Sequence, residues 1–249
     1  MPGITIQAVS TRLRCAYMPF LTLNFKAVAV SLIVGAAMIV LGGSLGLFFF
    51  GEMFYFVVLA ALATLAGRKF KQNARLYEKS RGVRNVLANG LWPLAMSVAF
   101  YAAMASGHMH MALFAALGFV ASVGAVTADT FSSELGVLDG QPVMILGFRR
   151  VHKGVSGGIT WLGLAAGLAG ALLISAMIVV VLPQLSALGL SSYALAFVVL
   201  TAGGFFGTIA DSLLGYFEEK GTGNKFTSNF FGSMAGSALC IGLAALLAL

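Results

Sequence analysis

Long apolar stretches separated by four clusters of charge are the main pattern along this chain. All fifteen Lys and Arg residues and seven of the eight Asp and Glu residues lie in those clusters. A helix needs roughly 20 mostly apolar residues to cross a bilayer. The apolar stretches predict spans near residues 27–47, 49–67, 91–107, 110–128, 157–181, 190–210 and 227–249. The predicted fold is therefore an all-α, polytopic membrane helix bundle with about seven transmembrane helices.

The first two predicted spans have no basic residue between them. One helix from Lys26 to Arg68 would be about 60 Å long, so the chain must turn back, and the Gly-rich residues 42–51 are the predicted turn. Basic residues favour the cytoplasmic side of a membrane. With seven spans, the four charge clusters share that side, the N-terminus lies inside and the C-terminus outside. Glu52 is expected at the opposite surface.

Composition excludes a water-soluble domain. The chain is 59% apolar and 9% charged, with a mean hydropathy of +0.97, which would leave such a domain without a polar surface. The net charge of +7 is explained by basic residues that flank spans and contact anionic lipid headgroups. We therefore expect membrane lipids as partners and no nucleic acid. The predicted location is a prokaryotic plasma membrane, with a plastid membrane as the alternative.

The predicted domain organisation has two parts. Residues 1–25 contain Arg12 and Arg14 but no acid, which is typical of a cytosolic or interfacial segment; a plastid transit sequence is the alternative. Residues 26–249 form a single transmembrane domain. Its predicted cytosolic loops are residues 68–90, 128–156 and 211–226.

Asp129 follows directly on the apolar residues 118–126. A carboxylate at the membrane boundary is costly unless it has a partner, and such residues are functional by default. Glu134 lies about 140° further around a continuous helix, so the two carboxylates cannot share a ligand face unless the helix breaks. Either the helix ends near residues 130–133, or Asp129 and Glu134 have separate roles.

A second polar motif, KGVSGG at residues 153–158, precedes the fifth predicted span. Small residues at a helix N-terminus expose N–H groups at the positive end of the helix dipole, which favours anions. Phosphate is the natural ligand of such a site. The motif is not a Walker A loop, because Lys153 precedes the glycines. The alternative interpretation is a flexible connection into the helix.

Two segments of the chain carry the same succession of motifs. Ala-Asp-Thr at 128–130 and Ala-Asp-Ser at 210–212 each end a span, and each is followed by a loop that closes in Lys-x-x-Ser, at Lys153 and Lys225. This pattern indicates a parallel helix-hairpin repeat, with chance matching of short motifs as the alternative. A true repeat would bring two carboxylates and two helix N-termini to one cytosolic pocket. Mg²⁺ takes one or two carboxylates together with phosphate oxygens, so the pocket predicts phosphoryl transfer.

Four segments together resemble a known family. They are VLANG (86–90), TADTFSSELG (127–136), the stretch 142–158 that contains RRVHKGVSGG, and GFFGTIADSLLG (204–215). They are similar to those of the transmembrane-protein-19-like integral membrane family, which includes the phytyl-phosphate kinase of tocopherol biosynthesis. Phe131 stands where that family commonly has Trp, and His152 where Pro is usual. The resemblance implies a kinase that transfers the γ-phosphoryl of CTP, or of another nucleoside triphosphate, to an isoprenoid (prenyl) monophosphate.

The resemblance also implies roles for individual residues. Asp129 and Asp211 would hold Mg²⁺, and Glu134 would help position the metal or the acceptor. Lys153 is expected to act in catalysis by binding phosphate. Further phosphate or nucleotide contacts are expected from Arg150, Ser156, Gly157, Gly158 and Ser212, and from the amides of Asn85, Asn89 and Asn229.

Other classes of protein stay open at this stage. A CTP-dependent cytidylyltransferase that makes a CDP-lipid uses the same metal and nucleotide but releases pyrophosphate instead of CDP. A membrane transporter would also place charges on broken helices, although usually near the midplane of the bilayer. The sequence leaves the nucleotide preference, the prenyl chain length and the oligomeric state undetermined.

Overall fold

The computed structural model describes residues 22–78 and 80–249; most of the predicted N-terminal segment, residues 1–21, lies outside them. The described helices are α1 (Phe25–Leu41), α2 (Gly46–Leu65), α3 (Arg68–Asn73), α4 (Val83–Ala105), α5 (Met109–Gly136), α6 (Trp161–Ser175), α7 (Leu182–Ala187), α8 (Tyr193–Glu218) and α9 (Lys225–Leu246). Short 3₁₀ helices cover Gly43–Leu45 and Ala176–Val181. Strands β1 (Val143–Met144) and β2 (Gly158–Ile159) pair antiparallel in the loop between α5 and α6.

Seven apolar helices form the bundle in the described part of the chain. Six segments are long enough to span a bilayer: Gly43–Leu65, Val83–Ala105, Met109–Gly136, Trp161–Ala187, Tyr193–Glu218 and Lys225–Leu246. The seventh, α1, has 17 residues, at the lower limit for a transmembrane helix. The predicted all-α polytopic membrane bundle is confirmed.

The turn between the first two helices is shorter than predicted. The 3₁₀ helix Gly43–Leu45 makes the turn, and α2 already begins at Gly46. Glu52 therefore lies within α2, about 9 Å from its start, and is 1% exposed. The prediction that Glu52 lies at the outer surface is wrong, because the later glycine of the Gly-rich segment, Gly51, is helical.

Helix α5 forms the centre of the bundle. It packs against α2, α4, α6, α8 and α9, and most of its span is buried. Its Phe119 stacks on Phe49 of α2 with ring centroids 4.1 Å apart, and Phe100 of α4 meets the Phe49 ring edge-on. Lipid chains are as apolar as the side chains themselves, so the hydrophobic effect does not drive helices together inside a bilayer. Van der Waals packing of this kind is a main source of helix association there.

Glycines allow α8 and α9 to pack closely. A Cβ added to Gly203 would lie 2.7 Å from the Gly236 carbonyl oxygen, and one on Gly207 would lie 2.9 Å from the Gly232 carbonyl oxygen. These pairs are small-residue contacts of the kind that lets membrane helices approach closely. A further pair, Gly163 and Gly167 on α6, packs mainly on α5.

The described charge clusters all lie at one end of the bundle. Lys71, after α2, pairs with Glu134 near the end of α5, and the Ser156 N–H donates to Glu219 at the end of α8. Helix α9 ends at the opposite face. The shared face agrees with the predicted topology, and its assignment to the cytosol stays a prediction.

Candidate active site

Two carboxylates from different helices meet one ammonium group at the charged face. Asp129 lies on α5 and Asp211 on α8, because both helices continue past the predicted loop boundaries at 128 and 211. The two helices run parallel and contact each other. Lys225 Nζ, from the first residue of α9, lies 3.7 Å from Asp129 Oδ2 and 3.4 Å from Asp211 Oδ2. The carboxylate side chains are 14% and 8% exposed and the lysine 54%.

Both Ala-Asp-Ser/Thr motifs line one cavity of about 230 Å³. Its floor contains Asp129, Asp211 and Lys225, and its wall is the glycine-rich loop that precedes α6. The lining from that loop and the helix ends includes Ser132, Ser133, Lys153, Gly154, Ser156, Gly157, Gly158 and Ser212. The carboxylates of the two motifs therefore share one cavity, as a true repeat would require.

Three asparagines form a chain of amides beside the carboxylates. Asn229 Nδ2 donates to Asn89 Oδ1 over 2.9 Å, and Asn89 Nδ2 donates to Asn85 Oδ1 over 3.4 Å. Asn89 and Asn229 share a small polar gap with Asp129 and Asp211. The amides predicted from the sequence therefore lie next to the carboxylates, although 140 positions separate Asn89 from Asn229 in the chain.

The oxygens beside this gap are of the chemical type that binds a hard divalent cation. Asp211 Oδ1 and Asn229 Oδ1 are buried and have no hydrogen-bond partner among the described residues. Those residues contain no cluster of three or more His, Cys, Asp and Glu suited to a metal. Two carboxylates and an amide oxygen, completed by water and phosphate oxygens, match the way proteins usually hold Mg²⁺.

Glu134 does not join this group. Helix α5 is unbroken from Asp129 to Gly136, so Glu134 faces another direction. There its Oε2 accepts from Lys71 Nζ over 2.8 Å and its Oε1 accepts from Arg81 over 3.0 Å. The sequence left two alternatives, a helix that ends near residues 130–133 or separate roles for Asp129 and Glu134. The second alternative is correct. The prediction that Glu134 shares the metal with Asp129 and Asp211 is wrong, because two cations already occupy its carboxylate.

The N-terminus of α6 is not available for phosphate. The helix begins at Trp161, after strand β2, and its first N–H groups are bound by the protein's own side chains. Thr160 Oγ1 accepts from Gly163 N–H, and Asp139 Oδ2 accepts from Leu162 N–H. N–H donation from Gly140, and then from Leu162, holds the pKa of Asp139 below its usual value. The predicted anion site at this helix end is therefore filled.

The glycine-rich loop packs on α8 as well as lining the cavity. A Cβ added to Gly157 would lie 2.7 Å from the Tyr216 nitrogen, and one on Gly215 would lie 2.6 Å from the Gly157 nitrogen. Gly157 also has a φ of +76°, which favours glycine. The Ser156 N–H is taken by Glu219. Gly157 and Ser156 therefore hold the loop in place, rather than presenting the free N–H cradle that the sequence predicted.

Lys153 and Arg150, both predicted to bind phosphate, do not lie beside the two carboxylates. Lys153 lines the cavity, but its Nζ donates to the Val137 carbonyl over 2.9 Å and to the Asp139 carbonyl. It also lies 4.8 Å from the centre of the Phe70 ring. Lys153 thus binds the carbonyl end of α5, not the carboxylates. Arg150 is exposed and lies outside the cavity lining.

Lys225 is the site residue that the sequence prediction omitted. The repeated Lys-x-x-Ser motif already contained it, but the motif alone does not distinguish it from Lys153. The difference is local: Lys225 is the first residue of α9, beside the two carboxylates, whereas Lys153 precedes a strand.

The fold and the pocket define an integral, multi-pass membrane protein with a polar site at one membrane face. The chain belongs to the DUF92 family of integral membrane proteins, whose profile matches residues 9–239. No solved structure is significantly similar to it.

Individual proteins are also similar to parts of this chain. An uncharacterized membrane protein of Methanocaldococcus jannaschii is 37% identical over 191 residues, which cover 74% of this chain and 71% of that protein. An uncharacterized membrane protein of Synechocystis is 36% identical over 130 residues, covering 48% of this chain and 50% of that protein. Protein PGR of Arabidopsis thaliana is 49% identical over 53 residues, covering 21% of this chain and 18% of that protein.

Proposed function

We propose that the protein is a membrane-embedded, Mg²⁺-dependent prenyl-phosphate kinase that uses CTP or another nucleoside triphosphate. The observation that carries the proposal is the meeting of Asp129, Asp211 and Lys225 in one cavity at the membrane face. One or two carboxylates for the metal and an ammonium group for phosphate are recurring parts of sites that bind a polyphosphate with Mg²⁺. The resemblance described above supplies phytyl phosphate as the expected acceptor.

The reaction needs no covalent chemistry from the protein. A phosphate oxygen of the acceptor forms a bond to the γ-phosphorus, the bond from that phosphorus to the β–γ bridging oxygen breaks, and CDP leaves. Catalysis then consists of positioning and charge neutralisation. Mg²⁺ bound by Asp129 and Asp211 would neutralise phosphate charge when present.

Lys225 is placed where a phosphate can reach it. Its side chain is 54% exposed, and its Nζ lies 3.7 Å from Asp129 Oδ2 and 3.4 Å from Asp211 Oδ2, longer than a close ion pair. We expect the ammonium group to leave the carboxylates and bind a phosphate oxygen when nucleotide enters. The asparagine pair Asn89–Asn229 would orient phosphate oxygens beside it.

Product analysis tests the proposal. Protein purified in detergent is incubated with Mg²⁺, CTP and phytyl phosphate, and the nucleotides and lipids are resolved by mass spectrometry. The proposal predicts CDP and phytyl diphosphate. Pyrophosphate with a CDP-lipid would identify a cytidylyltransferase instead. Absence of turnover with several nucleotides and prenyl phosphates would refute the kinase and favour transport.

A further inference from the structure

A second cavity, of about 300 Å³, lies between α1, α2 and the start of α4. We propose that it binds the apolar chain of a phosphorylated single-chain lipid and holds the phosphate beside the carboxylate site. The identity of that lipid as the kinase acceptor rests on the proposed function. Its lining includes Val28, Met38, Phe50, Phe54, Ala60, Arg81, Asn85, Asn89 and Gly90.

The cavity runs into the membrane from the charged face. On α1 its lining extends from Val28 to Met38, and on the antiparallel α2 from Ala60 to Phe50. Ten helical residues correspond to about 15 Å, half of the roughly 30 Å hydrocarbon core. The cavity therefore has the depth of one leaflet, as expected for a lipid whose headgroup stays at the charged face.

Polar groups of the cavity are concentrated at that end. Arg81, Asn85 and Asn89 lie at its mouth, whereas its deeper walls are formed by Phe, Met and aliphatic side chains. Arg81 is 7% exposed, and its Nε makes no hydrogen bond among the described residues; the Glu78 carboxylate lies 3.9 Å away. Lys71 and Arg81 share the single buried carboxylate of Glu134, so this group carries excess positive charge, which a phosphate at the mouth would neutralise.

Asn89 connects this cavity to the carboxylate site. It lines the apolar cavity and also the polar gap that contains Asp129 and Asp211. A lipid phosphate at the mouth would therefore lie next to the proposed metal and nucleotide site.

Leu32 and Phe54 line the cavity and are also largely exposed on the bundle surface. A chain can thus enter sideways from the bilayer, which an acceptor dissolved in lipid requires.

Photocrosslinking tests this assignment without any turnover. The probe is phytyl phosphate with a diazirine near the end of its chain, added to the full-length protein without nucleotide, and crosslinked peptides are mapped by mass spectrometry. We expect crosslinks to the deep wall, at Met38, Phe50 or neighbouring lining residues. Unlabelled phytyl phosphate should compete at least tenfold better than phytol, because the mouth carries the cation.

Two glycine variants form a matched pair. A Cβ at Gly90, which lines the cavity, would make an ordinary 3.5 Å contact with Val34, so Gly90→Phe can fill the cavity; a Cβ at Gly51, on the exposed side of α2, meets nothing within 4 Å. Gly90→Phe should lower the crosslink yield at least fivefold, and Gly51→Phe should leave it unchanged. If Gly90→Phe does not fold, Val57→Trp in the same lining serves instead.

The outcomes separate this inference from the kinase proposal. Crosslinks that map outside the lining, or equal yields from both glycine variants, would overturn the lipid cavity even if CDP forms. Crosslinks in the deep wall that are lost in Gly90→Phe would support the cavity even if no nucleotide is consumed, and only the kinase would then be refuted.

Discussion

Lys225 Nζ lies 3.4 Å from Asp211 Oδ2, across the short loop of residues 219–224 that joins α8 to α9. The same ammonium group reaches Asp129 on α5. Two carboxylates at a membrane face repel each other, and the lysine neutralises that repulsion while no other cation is bound. Under the proposed function, a metal and a polyphosphate would take the place of this charge.

Removing either carboxylate should stop catalysis without unfolding the protein. Asp129→Asn or Asp211→Asn keeps the side-chain volume but removes a proposed metal ligand, and we expect turnover to fall at least about 100-fold, as for loss of a major electrostatic contact. Initial rates of CDP formation measure this, and gel filtration checks the fold. Glu78→Gln, an exposed carboxylate outside the cavity, is the control. Near-normal rates in either Asp variant would exclude that residue from the metal site.

Replacing Lys225 should separate metal binding from turnover. In Lys225→Met the carboxylates lose their internal cation, so Mg²⁺ alone should bind more tightly, by about fivefold if the displaced ion pairs are worth about 1 kcal/mol. Turnover should fall, because phosphate loses its ammonium partner. Calorimetric titration with Mg²⁺ measures the first effect, with Lys220→Met as control. Weaker Mg²⁺ binding in Lys225→Met would contradict the account.

Glu134 should matter for stability rather than for the metal. Lys71 is fully buried and Arg81 nearly so, and Glu134 is the carboxylate that binds both. Glu134→Gln leaves two buried cations without that anion, at a cost of about 3–5 kcal/mol. Thermal unfolding in detergent measures the loss. Mg²⁺ affinity of the folded variant should be unchanged; lost affinity with unchanged stability would return Glu134 to the metal site.

Glu52 distinguishes the kinase from a transporter. Its carboxyl oxygens have no hydrogen-bond partner among the described residues and it is almost fully buried in α2. A buried membrane carboxyl is a candidate ion-coupling group in a transporter, but it lies far from the proposed chemistry. Under the kinase account Glu52→Gln keeps the rate of CDP formation and changes stability by no more than about 1 kcal/mol. A large loss of CDP formation would contradict this account, in which Glu52 takes no part in the reaction.

Apolar length alone was sufficient to predict the helices, but not where they end. Helix α5 continues to Gly136, past a predicted end at residue 128, because Lys71 and Arg81 neutralise Glu134 on its last turns. Lys71 and Arg81 lie 63 and 53 positions away from Glu134, and the hydropathy pattern gives no information about such distant partners. The prediction for Glu52 fails for the opposite reason: a lone charge in an apolar stretch indicates the surface, whereas the fold buries this one.

The carboxylate site was predictable because the Ala-Asp motif occurs twice at equivalent helix ends. The predicted phosphate cradle was wrong, since a glycine in that loop serves equally well for close packing on α8, as Gly157 does. Whether Lys153 or Lys225 faces the carboxylates depends on which helix begins at the lysine. Thr160 and Asp139 cap α6, so that helix begins at Trp161, after Lys153, whereas α9 begins at Lys225 itself. This difference between the two lysines is seen only in the structure.

The most direct measurement follows the γ-phosphoryl itself. The protein is incubated with phytyl phosphate, Mg²⁺ and CTP labelled in the γ-phosphate, beside the Asp211→Asn variant. The account predicts label in phytyl diphosphate, unlabelled CDP, and neither product from the variant. Label released as pyrophosphate, or label transfer that survives in Asp211→Asn, would contradict it.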